Sequence, residues 1–308
     1  MMRVIVVGLG VQGSKRRAVA GEEIVATVDP VHPEAEFKSL AEVPSDAYDA
    51  ALVCTPDDVK INLLTHLLNN GKHVLVEKPL FAPDNSELEI LGEIARSNGV
   101  ICYTAYNHRF EPHFLRMKQI IESRQLGEIY CVRMFYGNGT ARLVRNSQWR
   151  DQGSGVLADL GSHLLDTILF WFGKPTAPFT LHSCNRFENK SFDHFSFGVN
   201  GSPVLQLEVT LLSWRNHFYA DVLGENGSAH IQSLCKWGPT SFTLRDRKLP
   251  SGRPDEEETT LVQLDPTWEL EYQHFKRLTE TGESNIKNDI WINSVLNELG
   301  ERALVTLE

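Results

Sequence analysis

No stretch of this chain is apolar enough, for long enough, to cross a bilayer. The longest apolar run, Leu164 to Phe172, is interrupted by Asp166 and falls far short of the ~20 residues a spanning helix needs. Cysteine is scarce too. Cys54, Cys102, Cys131, Cys184 and Cys235 are odd in number, lie far apart and form no C-x-x-C pair, which argues against a disulfide framework and against thiolate zinc or redox sites. They read as reduced and mostly buried. An excess of positive charge is also missing: 30 Lys and Arg stand against 40 Asp and Glu, a net charge of -10 that repels nucleic acid and anionic membranes. No segment is collagenous or of low complexity. Met1 leads directly into an apolar strand pattern and a glycine loop, leaving no room for a signal peptide. A soluble, cytoplasmic protein acting on a small molecule is therefore expected.

What the chain has is enough length for two cores: 308 residues, 42% of them hydrophobic. In the N-terminal third, short apolar runs alternate with helical patterns. The runs are Arg3 to Val7, Glu23 to Asp29, Ala50 to Cys54, His73 to Glu77 and Val100 to Tyr106. Between the third and fourth, Ile61, Leu64, Leu67 and Leu68 recur at helical spacing before Gly71. Between the fourth and fifth, Leu88, Leu91 and Ile94 do the same before Gly99. Such alternation predicts βαβ units and a doubly wound parallel sheet.

Directly after the first run comes G-L-G-V-Q-G, Gly8 to Gly13. In the G-x-G-x-x-G order Gly8 permits a tight turn, Gly10 lets the backbone approach a pyrophosphate, and Gly13 lets the helix pack closely. Gly8, Gly10, Val11, Gln12 and Gly13 are thus candidate cofactor contacts. Asp29 ends the second run about 20 residues on, placed to accept ribose hydroxyls and to repel a 2′-phosphate, which favours NAD while leaving NADP open. Lys15, Arg16 and Arg17 read as a solvated basic face of a short helix from Gly13 to Ala20.

From about Gly127 to Asn285 strand patterns dominate: Glu128 to Tyr136, His194 to Val199, Val204 to Leu212, His217 to Gly224 and Ser228 to Leu234. Turns such as Asn200-Gly201 and Asn226-Gly227 join them into a mostly antiparallel sheet. The acidic run Asp255 to Glu258 reads as a solvated loop, and Asp289 to Leu304 as a final amphipathic helix. The expected organisation is a dinucleotide-binding domain over 1–120 and a substrate-binding and oligomerisation α+β domain over 121–308.

Several blocks occur together: Thr55-Pro56, Gly71 to Leu80 with Glu77-Lys78-Pro79, Tyr106 to Phe110 (YNHRF), and Ser147 to Asp166 (SQWRDQGSGVLADLGSHLLD). In this order they resemble the glucose-fructose oxidoreductase, inositol dehydrogenase and MocA family. The resemblance implies a Rossmann domain followed by an open sheet with helices on one face, whose other face forms a homodimer or homotetramer interface. It also implies hydride transfer between nicotinamide and the carbinol carbon of a sugar, polyol or nucleotide-sugar, with no metal. On that resemblance Lys78, Asp159 and His163 are the catalytic set. His163 would be the base, an imidazole with an unperturbed pKa near ~6.5; Lys78 would stabilise the alkoxide, and Asp159 would orient substrate or imidazole. Thr55, Pro56, Glu77, Lys78, Asn107, Trp149 and Arg150 are implied cofactor contacts, and Tyr106 and Arg109 substrate contacts. Where the family often carries a histidine after the Thr-Pro turn, this chain has Asp58, Val59 and Lys60. Two other readings keep the fold: an inactive cofactor-sensing regulator, and a reductase of C=C or C=N bonds.

Overall fold

In the computed structural model, residues 1–147 and 150–306 are described. The chain forms two compact units, Met1–Asn107 with Trp268–Ser294, and His108–Thr267 with Val295–Glu308.

The first unit begins β1 (Val4–Val7), α1 (Val11–Ala20), β2 (Ile24–Val28), β3 (Ala50–Val53), α2 (Asp57–Asn69), β4 (His73–Glu77), α3 (Asn85–Ser97) and β5 (Cys102–Ala105). The five strands lie parallel in the order β2-β1-β3-β4-β5. They match the five expected strands, because β1, β3 and β5 are buried along their whole length and so read as unbroken apolar runs. The order reverses at β1, so the crevice at the carboxyl ends of β1 and β3 is the switch point where open α/β sheets bind ligands. Gly71 and Gly99, each at positive φ, close α2 and α3 as expected.

In the second unit follow α4 (Pro112–Glu122), β6 (Ile129–Gly137), α5 (Ala141–Arg145), a π-helical turn (Leu157–Gly161), α6 (Ser162–Phe172) and strands β7 (Phe179–Asn185), β8 (His194–Val199), β9 (Val204–Thr210), β10 (His217–Gly224), β11 (Gly227–Gln232), β12 (Thr240–Lys248) and β13 (Gly252–Leu261). The sheet order is β13-β12-β11-β10-β6-β9-β8-β7, antiparallel throughout except β6 with β9. Alternate residues such as Val132, Met134, Phe218, Ala220 and Val222 are buried, while the residues between them, Arg133, Tyr219 and Asp221 among them, are not. The indole of Trp171 in α6 donates to the Phe114 carbonyl in α4 at 3.0 Å, tying the two helices together.

The reading of Asp255 to Glu258 as a loop is corrected: these residues lie in edge strand β13. They are solvated, but Lys248 meets Asp255 at 2.7 Å and Arg245 meets Glu256 at 2.6 Å across the β12–β13 pair. Cross-strand charge pairing lets an acidic run extend the sheet, and charge on an edge strand also discourages further pairing.

The chain closes with α7 (Thr267–Thr281) and α8 (Ile286–Thr306). Tyr272 and Phe275 of α7 complete the apolar cluster on the α1 face of the parallel sheet, alongside Val4, Val6, Leu52 and Leu75. Ile286 of α8 joins the opposite cluster with Leu64, Leu88 and Leu91. Farther along α8, Arg302 donates to the Phe179 carbonyl within the second unit.

Candidate active site

The glycine loop leaves β1 at Gly8, whose φ of +92° is open to glycine; a Cβ there would lie 2.6 Å from the Cys54 carbonyl oxygen. A Cβ on Gly13 would stand 1.8 Å from the Gly8 oxygen, so α1 can pack on the loop only without one. Gly10, the N-cap of α1, has nothing within 4 Å of where its Cβ would be. A backbone-walled cradle opening at a helix N-terminus fits a pyrophosphate, and Val11 and Gln12 begin that helix. Thr55, just beyond β3, lies against Gly8, and its buried hydroxyl has no hydrogen-bond partner among the described residues. Pro56 is the N-cap of α2. The chain's donors and acceptors therefore fit a dinucleotide.

Asp29 follows β2, nearly buried. Its carboxylate accepts from the Leu9 amide at 2.8 Å and from the Val31 and His32 amides at 2.9 and 2.8 Å. Burial alone would raise its pKa, but these three N–H donors outweigh burial and hold it below the ordinary carboxylate value. The result is an ionised acceptor rigidly tied to the glycine loop.

At the end of β4 the Glu77 carboxylate accepts from Arg16 Nε at 2.7 Å, and Arg16 Nη2 reaches Glu271 of α7 at 2.6 Å. The Trp268 ring covers the guanidinium at 4.3 Å. The solvated basic face is thus corrected for its middle member: Arg16 is 1% exposed, while Lys15 and Arg17 face solvent. Arg16 shares the buried face of α1 with Gly13 and Ala20, three- and four-residue steps that were readable from spacing. Burial opposes its charge, yet Glu271 and Glu77 prevail and its pKa is raised. Removing one partner from such a network costs about 3–5 kcal/mol. Lys78, next after Glu77, stands at the carboxyl edge of the sheet, and Tyr106 and Asn107, both buried, follow β5 at the same edge.

In the second unit, Asp159 lies in the π-helical turn and His163 in the first turn of α6. A π turn is wider than an α-helical one, and such turns recur at functional sites. Asp159 is partly exposed and lies 3.4 Å from Arg150, so Arg150 is placed beside a proposed catalytic carboxylate. Trp149 lies outside the described residues. His163 is 6% exposed and stacks on His108, ring centroids 4.0 Å apart and planes 16° from parallel. His108 Nε2 in turn lies 3.4 Å from Lys236 Nζ, which donates to the Tyr136 hydroxyl at 3.1 Å.

Arg109 grips Asp166 with a fork, Nε at 2.8 Å and Nη2 at 2.6 Å. Burial pushes the Asp166 carboxyl up even against this pairing. Arg109 is therefore engaged with Asp166 on α6, one turn from His163. Sequence reasoning missed His108, although it sits inside the YNHRF block; neither its charge nor a periodicity distinguishes it from its neighbours.

Comparison with known proteins agrees with this geometry. Residues 2–106 match the model for the oxidoreductase family with an NAD-binding Rossmann fold, and residues 114–230 match the GFO/IDH/MocA C-terminal domain. The chain belongs to the GFO/IDH/MocA oxidoreductase family, and its first unit is the family's NAD-binding Rossmann domain. An uncharacterized oxidoreductase of Schizosaccharomyces pombe is 35% identical over 143 residues, 45% of this chain and 38% of that one. A scyllo-inositol 2-dehydrogenase (NADP+) of Bacillus subtilis is 30% identical over 168 residues, 53% of this chain and 46% of that one. The matched region spans less than half the length of these curated relatives. Among solved structures, levoglucosan dehydrogenase in complex with NADH has the same fold, with a TM-score of 0.83 at 15% identity over 99% of this chain and 97% of that one. Among the described residues no helix is long and apolar enough to cross a membrane.

Proposed function

We propose that the protein is an NAD-dependent dehydrogenase that oxidises a secondary alcohol of a sugar, polyol or nucleotide-sugar to a ketone, or runs the reverse reaction. The observation that carries this reading is the buried His163 ring, backed by His108, in a chain whose first unit is an NAD-binding domain. The glycine loop, Thr55 and Asp29 would hold the dinucleotide, which supplies the hydride acceptor when bound. His163 removes the hydroxyl proton as the carbinol C–H bond breaks and the C=O bond forms. Lys78 stabilises the negative charge developing on the oxygen. Asp159 orients the substrate hydroxyls. The relatives named for scyllo-inositol and levoglucosan support an alcohol substrate. The test is coenzyme reduction by the purified chain with inositols, free sugars and nucleotide-sugars. No reduction by any of them, with reduction of an imine or enone instead, would overturn the alcohol reading.

NAD is the proposed coenzyme in preference to NADP, because the Asp29 carboxylate is fixed and ionised. Asp29→Asn should weaken NAD about 10-fold, from losing a charged hydrogen bond, and should shift preference towards NADP. Since the folded-state pKa is depressed, the charge and the preference persist as pH falls to about the ordinary value of ~3.9, and are lost only as pH passes through the lower folded value. Titration of both coenzymes by fluorescence checks this; an unchanged NADP/NAD ratio in the variant would refute the role.

A second copy of the chain is the proposed partner, seated on the outward face of the eight-stranded sheet, where Phe135 stacks on Tyr219 at 5.6 Å beside His217. Phe135→Glu should lower the solution mass measured by sedimentation to that of one chain. The five free cysteines support a reducing, cytoplasmic location.

A further inference from the structure

Lys60 lies in the first turn of α2, on its buried face with Leu64, Leu67 and Leu68, and is 2% exposed. A lysine ammonium has three donors. Here they meet the Glu77 carbonyl at 2.8 Å, the Pro79 carbonyl at 2.8 Å and the Asp57 carboxylate at 2.6 Å. The first two acceptors bracket Lys78. The parallel ladder ends where Glu77 pairs with Ala105, and Pro79 has no N–H to offer. Arg16 fixes the Glu77 side chain from another direction.

We propose that Lys60 is a positioning residue for Lys78: by donating to the carbonyls on both sides, it does beyond the strand end what the ladder does within it. The buried stem, held among the leucines of α2, makes the clamp stiff. This inference rests on the reading of Lys78 as the group that stabilises the alkoxide. A displacement of about 1 Å at a reacting group can cost on the order of 10²-fold in rate, so a loose Lys78 backbone would act on the chemical step and not on coenzyme binding.

The test replaces the ammonium while keeping the apolar stem. Lys60→Met should lower kcat roughly 10- to 100-fold, leave the coenzyme Kd within about 3-fold, and raise the primary deuterium isotope effect on kcat as hydride transfer becomes rate-limiting. Lys60→Arg, which keeps two donors at similar reach, should recover most of the rate; it is also the deciding variant should Lys60→Met fail to fold. An unchanged kcat in folded Lys60→Met, or a loss confined to coenzyme binding, would overturn the proposal. So would a Lys60→Arg enzyme as slow as one without donors, with no rise in the isotope effect. Lys78→Ala run in parallel separates the two claims. Full turnover in Lys78→Ala refutes the reading of Lys78 itself, whereas loss there with normal turnover in Lys60→Met refutes only the clamp.

Discussion

Lys78→Ala should reduce turnover by roughly 10²–10³-fold or more while coenzyme affinity stays within a few-fold of wild type. The first figure is what removal of one donor from a preorganised charge-stabilising site usually costs, about 2.7–4 kcal/mol. The second follows from where the groups proposed to hold the pyrophosphate and ribose lie. The loop at Gly8 to Gly13 and the carboxylate of Asp29 are built from β1, α1 and β2, whereas Lys78 leaves the end of β4. Substitution at Lys78 leaves the Arg16–Glu77–Glu271 network intact, so the domain should fold. Steady-state kinetics on the substrate found by screening, with a coenzyme titration beside it, decides the matter. Near wild-type turnover would remove Lys78 from the mechanism.

His163→Ala should lower kcat by about 10²–10⁴-fold, the usual contribution of a positioned general base. The loss should be largest in the direction of alcohol oxidation near neutral pH, where hydroxyl protons are held tightly. Coenzyme binding should again be retained, because the glycine loop and Asp29 that would hold the dinucleotide belong to the first unit and His163 to the second. The Arg109–Asp166 fork on the following turn of α6 anchors that helix independently of the imidazole. A variant that kept its coenzyme affinity and its rate would show that another group takes the proton. His108, stacked on the missing ring, would then be the first to replace.

The doubly wound sheet was readable because its strands are buried on both faces and so appear as uninterrupted apolar runs, closed by Gly71 and Gly99 after each helix. Strand β13 was not readable. It is held by a backbone ladder to β12 with exposed cross-strand ion pairs beside it, and a run of Asp and Glu carries no periodic signal of its own partner. Arg16 and Lys60 lie between these cases. Each occupies a core-facing helical position, Arg16 with Gly13 and Ala20, Lys60 with Leu64 and Leu67, yet a charged side chain there is ordinarily taken to point outward. What overturns that default is a set of acceptors distant in sequence: Glu271 lies 255 residues from Arg16, and the Pro79 carbonyl 19 residues from Lys60.

By itself the sequence determined the βαβ pattern and the glycine loop with Asp29, and placed Lys78 at the end of a strand, because local spacing dictates turn geometry, helix phase and strand burial. Only the tertiary structure decided that α7 returns to cover the first sheet, that His108 lies on His163, and that buried Lys60 donates to the carbonyls on either side of Lys78 while buried Arg16 holds the Glu77 side chain. Those features depend on contacts between distant segments, and a buried charge becomes tolerable only when folding brings its counter-charge and carbonyls within hydrogen-bond reach.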